Sequence, residues 1–122
     1  KIAFFLRNHD QISNEYWAGF SDNKNYKIAE KQMDMFGGMV SFIPKENSYE
    51  TARKIAENLK LFTLAESLGG VESLCCHPAS MTHASIPLEE RKKSGLVESL
   101  LRLSVGVEDV DDLIDDLSNA IE

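Results

Sequence analysis

The chain has 122 residues, enough to close one core, and no apolar run of about 18 residues that would cross a bilayer. Its formal charge of −7 argues against nucleic acid, because neutralising phosphates needs a Lys/Arg surplus on one face. Neither a membrane protein nor a nucleic-acid binder is expected. The chain opens at Lys1 with no methionine and no signal-like segment, as expected of a piece cut or processed from a longer polypeptide.

In chain order, Lys1–Arg7 carries a helix-like apolar face (Ile2, Phe5, Leu6) and reads as the end of a helix. Ile12–Trp17 reads as a short strand, followed by a loop around Gly19. Asp22 or Asn23 is placed to cap a helix whose apolar positions are Tyr26, Ala29, Met33 and Phe36, stopped by Gly37-Gly38. Met39–Ile43 is a compact apolar strand closed by Pro44. Ser48 is the expected N-cap of a helix with Ala52, Ile55, Ala56 and Leu59 on one face. A strand is expected over Leu61–Ala65, then a brief helix over Val71–Cys75. Pro87 suits the first turn of another helix, with Glu89 and Glu90 at its positive end and Gly95 near its close. Leu100–Val105 is the clearest strand. The last helix starts at Asp109, with Val110, Leu113, Ile114, Leu117 and Ile121 on one face. Its acids (Asp111, Asp112, Asp115, Asp116) read as a solvated surface. With no repeat and no linker, residues 1–122 are read as a single α/β domain.

Polar groups that interrupt apolar structure mark the candidate site. Arg102 stands mid-strand, on the face shared with Leu100 and Ser104, while Leu101, Leu103 and Val105 point the other way. A guanidinium there suits a carboxylate gripped two-pronged, and reads equally as one half of an internal ion pair. Glu66-Ser67 ends a strand just before Gly69-Gly70, where backbone can approach a small polar ligand; Ser67 reads equally as a helix cap. His77, His83, Cys75 and Cys76 do not match zinc-ligand spacing, and no metal site is assigned. No Ser-His-Asp or Cys-His spacing is decodable. Gly37-Gly38 follows a helix and precedes a strand, the reverse of a phosphate loop. The adjacent cysteines are expected to be free, buried thiols, which fits a reducing, cytoplasmic location.

Four blocks occur in a familiar order: Phe36–Phe42 (FGGMVSF), Leu64–Leu74 (LAESLGGVESL), His77–Ala84 (HPASMTHA) and Leu101–Asp109 (LRLSVGVED). Together they resemble the C-terminal domain of the pyridoxal-phosphate-dependent transsulfuration enzymes, the cystathionine γ-lyase and γ-synthase group, from about Ile12 to the end. The resemblance implies the small C-terminal domain of a fold-type I enzyme, a mostly antiparallel sheet with helices covering one face. It implies substrate-binding residues as well. Arg102 matches the arginine that binds the α-carboxylate of the amino-acid substrate. Ser67 matches a serine that helps hold that carboxylate. Glu66 matches an acidic position facing the distal part of the substrate in γ-cleaving members, and Thr82 a threonine beside the pocket. One departure is Trp17-Ala18-Gly19-Phe20, where many members carry Tyr-Pro-Gly-Leu.

In the family, the Schiff-base lysine and phosphate-binding residues of the cofactor, pyridoxal 5'-phosphate, lie in a large upstream domain. No catalytic and no cofactor-binding residue is therefore expected in this chain, which by itself is expected to be inactive. The implied activity of the whole enzyme is γ-elimination of cystathionine to cysteine, 2-oxobutanoate and ammonia, in a homotetramer. The alternatives are a γ-synthase, replacing the γ-substituent of an activated homoserine, and a standalone binding or assembly module without catalysis.

Overall fold

A strand that alternates leucine with polar residues can sit mid-sheet only if both of its faces are used. In the computed structural model, which describes residues 1–122, that strand is β5 (Leu101–Ser104). Before it come α1 (Ile2–Arg7), β1 (Ile12–Tyr16), α2 (Tyr26–Gln32), β2 (Met39–Pro44) and α3 (Tyr49–Asn58). Then follow β3 (Thr63–Leu64), β4 (Leu74–Cys76) and α4 (Leu88–Lys93); α5 (Val110–Ile121) comes after β5. The sheet order is β1-β2-β5-β4-β3, antiparallel throughout except for the β3–β4 pair. The expected architecture, a mostly antiparallel sheet with helices on one face, is the one observed.

Register assigns the faces. Val40, Leu103 and Cys75 lie abreast on β2, β5 and β4, as do Phe42 and Leu101 on β2 and β5. All five belong to the core, where they meet Ile2 and Leu6 of α1, Ala52 and Ile55 of α3, and Leu113 and Leu117 of α5. Ser41, Arg102 and Cys76 form the alternate row, on the face away from these helices. Helices α2 and α4 bury no residue and contribute nothing to this core.

The caps are local and legible. Ser48 accepts the Thr51 N–H at 3.1 Å to start α3, and Asp109 accepts those of Asp111 and Asp112 at 2.9 and 3.3 Å to start α5. The turn after β1 is held by aromatic edges. Trp17 meets Phe20 and Phe36 edge-on, and its indole N–H donates to the Gly37 carbonyl at 3.0 Å.

Several expectations are corrected. No helix forms over Val71–Cys75; β4 occupies Leu74–Cys76 instead. All three of its residues are buried, so its apolar run has no alternation to tell strand from helix. Helix α2 starts at Tyr26 with Asn25 as its cap and stops at Gln32, because Met33 is extended (φ −120°, ψ 130°). Asn23 instead accepts the Asn25 N–H at 2.9 Å and closes the turn before the helix. Pro87 caps α4 rather than opening its first turn.

The strand expected over Leu61–Ala65 shrinks to Thr63–Leu64. The N–H groups of Lys60, Leu61 and Phe62 have another acceptor, the Asp116 carboxylate, at 2.8, 2.8 and 3.2 Å. Asp116 is only 7% exposed and is not part of a solvated surface. It stands on the buried side of α5 and fastens that helix to the entry of β3. Asp116→Ala leaves three donors without this partner, so we expect a loss of about 3 kcal/mol in urea denaturation. A loss under about 0.5 kcal/mol, the range of an ordinary surface change, would show that the cap is dispensable.

Candidate functional site

The site is the sheet face that the helices leave free. Arg102 projects from β5 beside Ser41 of β2 and Cys76 of β4. It is half-buried and pairs with no carboxylate of the chain, so the internal ion pair does not form. Its Nη2 instead donates to the main-chain carbonyl of Glu66 at 3.3 Å, an interaction that leaves the rest of the guanidinium fork available.

The segment that carries Glu66 is fastened at both ends. The Ala65 N–H donates to the Cys75 carbonyl at 2.9 Å, continuing the β3–β4 ladder. The Gly69 N–H donates to the Ser104 hydroxyl at 2.7 Å. Gly69 takes a positive φ of 77°, which a side chain would oppose. Between the fastenings Glu66, Ser67 and Leu68 are exposed and arch over β5.

Beyond Gly70 a second clamp holds the chain against the exit of β5. The Glu108 carboxylate accepts from the Ser73 N–H at 2.7 Å and from the Ser73 hydroxyl at 2.8 Å. That hydroxyl accepts the Gly106 N–H at 2.9 Å, and the Val107 N–H donates to the Val71 carbonyl, also at 2.9 Å. A β-carbon at Gly106 would overlap the Val71 carbonyl oxygen, so only glycine permits this crossing.

The Thr82 hydroxyl donates to the Pro78 carbonyl at 3.4 Å and lies 2.6 Å from His83 Nδ1. Burial pushes the Cys76 thiol up, Arg102 opposes that shift, Glu66 adds to it and Thr82 opposes it. Burial pushes the Cys75 thiol, on the core side, up to about 12. Both are free thiols, as expected. His77 sits outside the site as a pin. Its Nε2 faces the Glu98 carbonyl at 2.6 Å, which can only accept, so Nε2 carries a proton. Nδ1 pairs with the Ser80 hydroxyl at 2.7 Å, and the Tyr49 ring lies edge-on to the imidazole. Arg91 of α4 holds the same turn through the Ala79 carbonyl at 2.6 Å.

Of the four residues singled out in the sequence, Arg102 and Glu66 meet directly, whereas the Thr82 hydroxyl is engaged within its own turn by Pro78 and His83. Ser67 lies beside Glu66 on the exposed arch. Sequence reasoning missed Ser104, Ser73 and Glu108 as the fastenings of that arch. The signal for Ser104 was present, since it shares a strand face with Arg102 two residues away. Nothing local pairs Ser73 with Glu108, which are 35 residues apart.

Comparison with known proteins decides the family. The family described as Cys/Met metabolism PLP-dependent enzyme matches residues 1–122. The chain belongs to this pyridoxal-phosphate-dependent family. It is 51% identical over 123 residues to a cystathionine beta-lyase of Lactococcus lactis subsp. cremoris, covering 100% of this chain and 32% of that protein. It is 48% identical over 122 residues to the cystathionine gamma-lyase of Bacillus subtilis, again covering 100% of this chain and 32% of the relative. A crystal structure of cystathionine gamma synthase from Xanthomonas oryzae pv. oryzae in complex with cystathionine superposes with a TM-score of 0.92 at 42% identity. That match covers 98% of this chain and 31% of the synthase. The chain therefore spans about a third of the length of the curated relatives it matches.

Do these residues fit the family's cofactor? Every lysine of the chain is exposed, and none lies on a strand. The face around Arg102 offers no amine for an aldehyde. Arg102 is the cation that this face presents.

The Glu108 carboxyl is held below the usual carboxylate range, chiefly by the Ser73 amide, then by its own amide and the Ser73 hydroxyl, against a small opposing effect of burial. A depressed folded value means that its contribution is complete above the unfolded value and disappears as pH falls through the folded one. We expect the urea midpoint of the chain to drop as pH is lowered from about 5 toward 3, and Glu108→Gln to flatten part of that drop. Identical pH profiles for the two proteins would remove Glu108 from the account.

Proposed function

We propose that this chain supplies the α-carboxylate grip of a pyridoxal-phosphate-dependent carbon–sulfur lyase whose substrate is cystathionine, cleaved on the γ side to cysteine, 2-oxobutanoate and ammonia. The observation that carries the reading is Arg102: a half-buried guanidinium, on an otherwise largely apolar strand, with no acid of its own chain to neutralise it. Such a fork binds a carboxylate through two parallel N–H···O bonds and fixes the plane of the amino acid. The family's cofactor supplies the electron sink when bound, and the protein supplies orientation and electrostatics. Glu66, at the rim of the same patch, provides a negative charge for the distal ammonium of a two-headed amino acid such as cystathionine. Ser67 on the arch and Thr82 beside Cys76 are the remaining polar contacts within this reading. We place the whole enzyme in the reducing cytoplasm on the strength of the two buried free thiols, and as a homotetramer on family resemblance.

A second reading has its own support. The 51% identical relative is named a beta-lyase, and β-cleavage of cystathionine gives homocysteine, pyruvate and ammonia instead. γ-Replacement, the activity in the name of the Xanthomonas relative, consumes a thiol and makes cystathionine without releasing ammonia. Product analysis of the full-length enzyme with cystathionine separates the two cleavages, and formation of cystathionine from an activated homoserine and cysteine identifies γ-replacement. Cysteine and 2-oxobutanoate support the proposal; homocysteine and pyruvate replace it with β-cleavage. The isolated 122 residues should turn over nothing, since no lysine stands at the site.

For Arg102 itself, Arg102→Ala in the full-length enzyme should raise KM for cystathionine roughly 30-fold or more, the equivalent of losing about 2–3 kcal/mol of charge-assisted hydrogen bonding. Arg102→Lys should recover only part of it, because an ammonium keeps the charge and loses the fork. An unchanged KM in Arg102→Ala would sink the carboxylate grip.

A further inference from the structure

We propose that Ser104 is a positioning residue for substrate binding, whose hydroxyl holds the Glu66–Gly69 arch in place and through it sets the orientation of the Arg102 guanidinium. The inference rests on the carboxylate role of Arg102 proposed above.

Ser104 is 4% exposed and leaves β5 on the same face as Arg102. It makes one recorded side-chain bond, accepting the Gly69 N–H at 2.7 Å. That bond fixes the far end of an arch whose near end is fixed by Ala65 on Cys75. The three residues between them are exposed, and the bond that ties them back to the sheet there is Arg102 Nη2 to the Glu66 carbonyl. At 3.3 Å this bond is long, and it belongs to a carbonyl whose place depends on where the arch is anchored.

The two contacts therefore act in series. Ser104 holds Gly69, the held arch presents the Glu66 carbonyl, and the carbonyl steadies one nitrogen of Arg102 while the others remain free. Losing the Ser104 hydroxyl unfastens one end of the arch and leaves Gly69, with its left-handed backbone, no anchor on β5. The guanidinium keeps its charge and loses the contact that sets its plane. A two-pronged carboxylate grip depends on that plane, so affinity falls although no group of Ser104 meets the substrate. The Ser73–Glu108 clamp lies on the other side of Gly70 and does not substitute for it.

The test is a double-mutant cycle on the full-length enzyme, read as KM and kcat separately for cystathionine. Ser104→Ala should raise KM about five- to tenfold, the effect of one buried neutral hydrogen bond, with kcat within about twofold. Ser104→Thr, which keeps the hydroxyl, should restore KM to within about twofold. In the Arg102→Ala background, Ser104→Ala should add less than about twofold, because the residue through which it acts is gone. Full additivity of the two substitutions, an unchanged KM in Ser104→Ala, or a loss confined to kcat overturns the proposal. If Ser104→Ala does not fold, Ser104→Cys gives the same reading, with a somewhat larger sulfur that accepts hydrogen bonds only weakly. Arg102→Ala alone keeps the two ideas apart. An unchanged KM there removes the carboxylate grip, whereas a raised KM with a silent Ser104→Ala removes only the role of Ser104.

Discussion

The register of β5 is the constraint from which the rest of the structure follows. Side chains alternate along a strand, so a slip of one residue would exchange its faces. Leu101 and Leu103 would leave the core, and Arg102 would enter a layer made of Phe42, Leu113 and Leu117, where a guanidinium has no partner. The penalty works in both directions. The leucines hold Arg102 on the open face as firmly as the charge keeps the leucines buried. Pairing with β2 and β4 on both sides then fixes Ser41 and Cys76 as its neighbours, and the flanking helices have only one face left to cover.

From that register the arch follows. Arg102 and Ser104 stand one period apart and offer a donor and an acceptor to the same stretch of passing backbone. The stretch answers with a carbonyl at Glu66 and an N–H at Gly69, three residues on. The chain then turns down to Ser73, where the Glu108 carboxylate and the Gly106 crossing take over. Backbone groups that no sheet ladder satisfies are thus met by side chains of β5 and its exit, in keeping with the requirement that buried polar groups find partners. The exposed arch is held by hydrogen bonds to a rigid strand and does not depend on packing for its shape.

How far this was legible in the sequence depends on where each interaction lives. The faces of β5, α3 and α5 were readable because each has a clean period and a local cap, at Ser48 and Asp109. Arg102 was readable as a charge interrupting an apolar strand, and the structure removes the internal ion pair, since no acid of the chain pairs with it. β4 was not readable, because Leu74, Cys75 and Cys76 are all buried and the strand shows no alternation between its faces. Asp116 was misread for a different reason. Its three bonds go to residues 54 to 56 positions earlier, and an aspartate among aspartates looks solvated until that partner is known. Ser73 and Glu108 were hidden in the same way. Glu66, Ser67 and Thr82 were marked out only by family resemblance; in the structure the Glu66 carbonyl meets Arg102, Ser67 is exposed beside it, and Thr82 bonds within its own turn.

A chain of net charge −7 is an unpromising host for a carboxylate, and the layering of the fold is what resolves this. The exposed acids Asp111, Asp112 and Asp115 belong to α5, whose buried side packs on the core face of the sheet. Arg102 projects from the opposite face. Between the two lie the sheet and a helical layer, a separation of roughly 10 Å for each layer. The Debye length at physiological ionic strength is about 8 Å, so these charges are largely screened from a ligand at Arg102. Glu108 is closer but already engaged by the Ser73 amide and hydroxyl, which stabilise its charge where it stands. Glu66 is the exception, near enough to oppose ionisation of the Cys76 thiol. The exposed acids of α5 thus stand on the helical side of the sheet, while Arg102 projects from the other face with the Glu66 carbonyl against it.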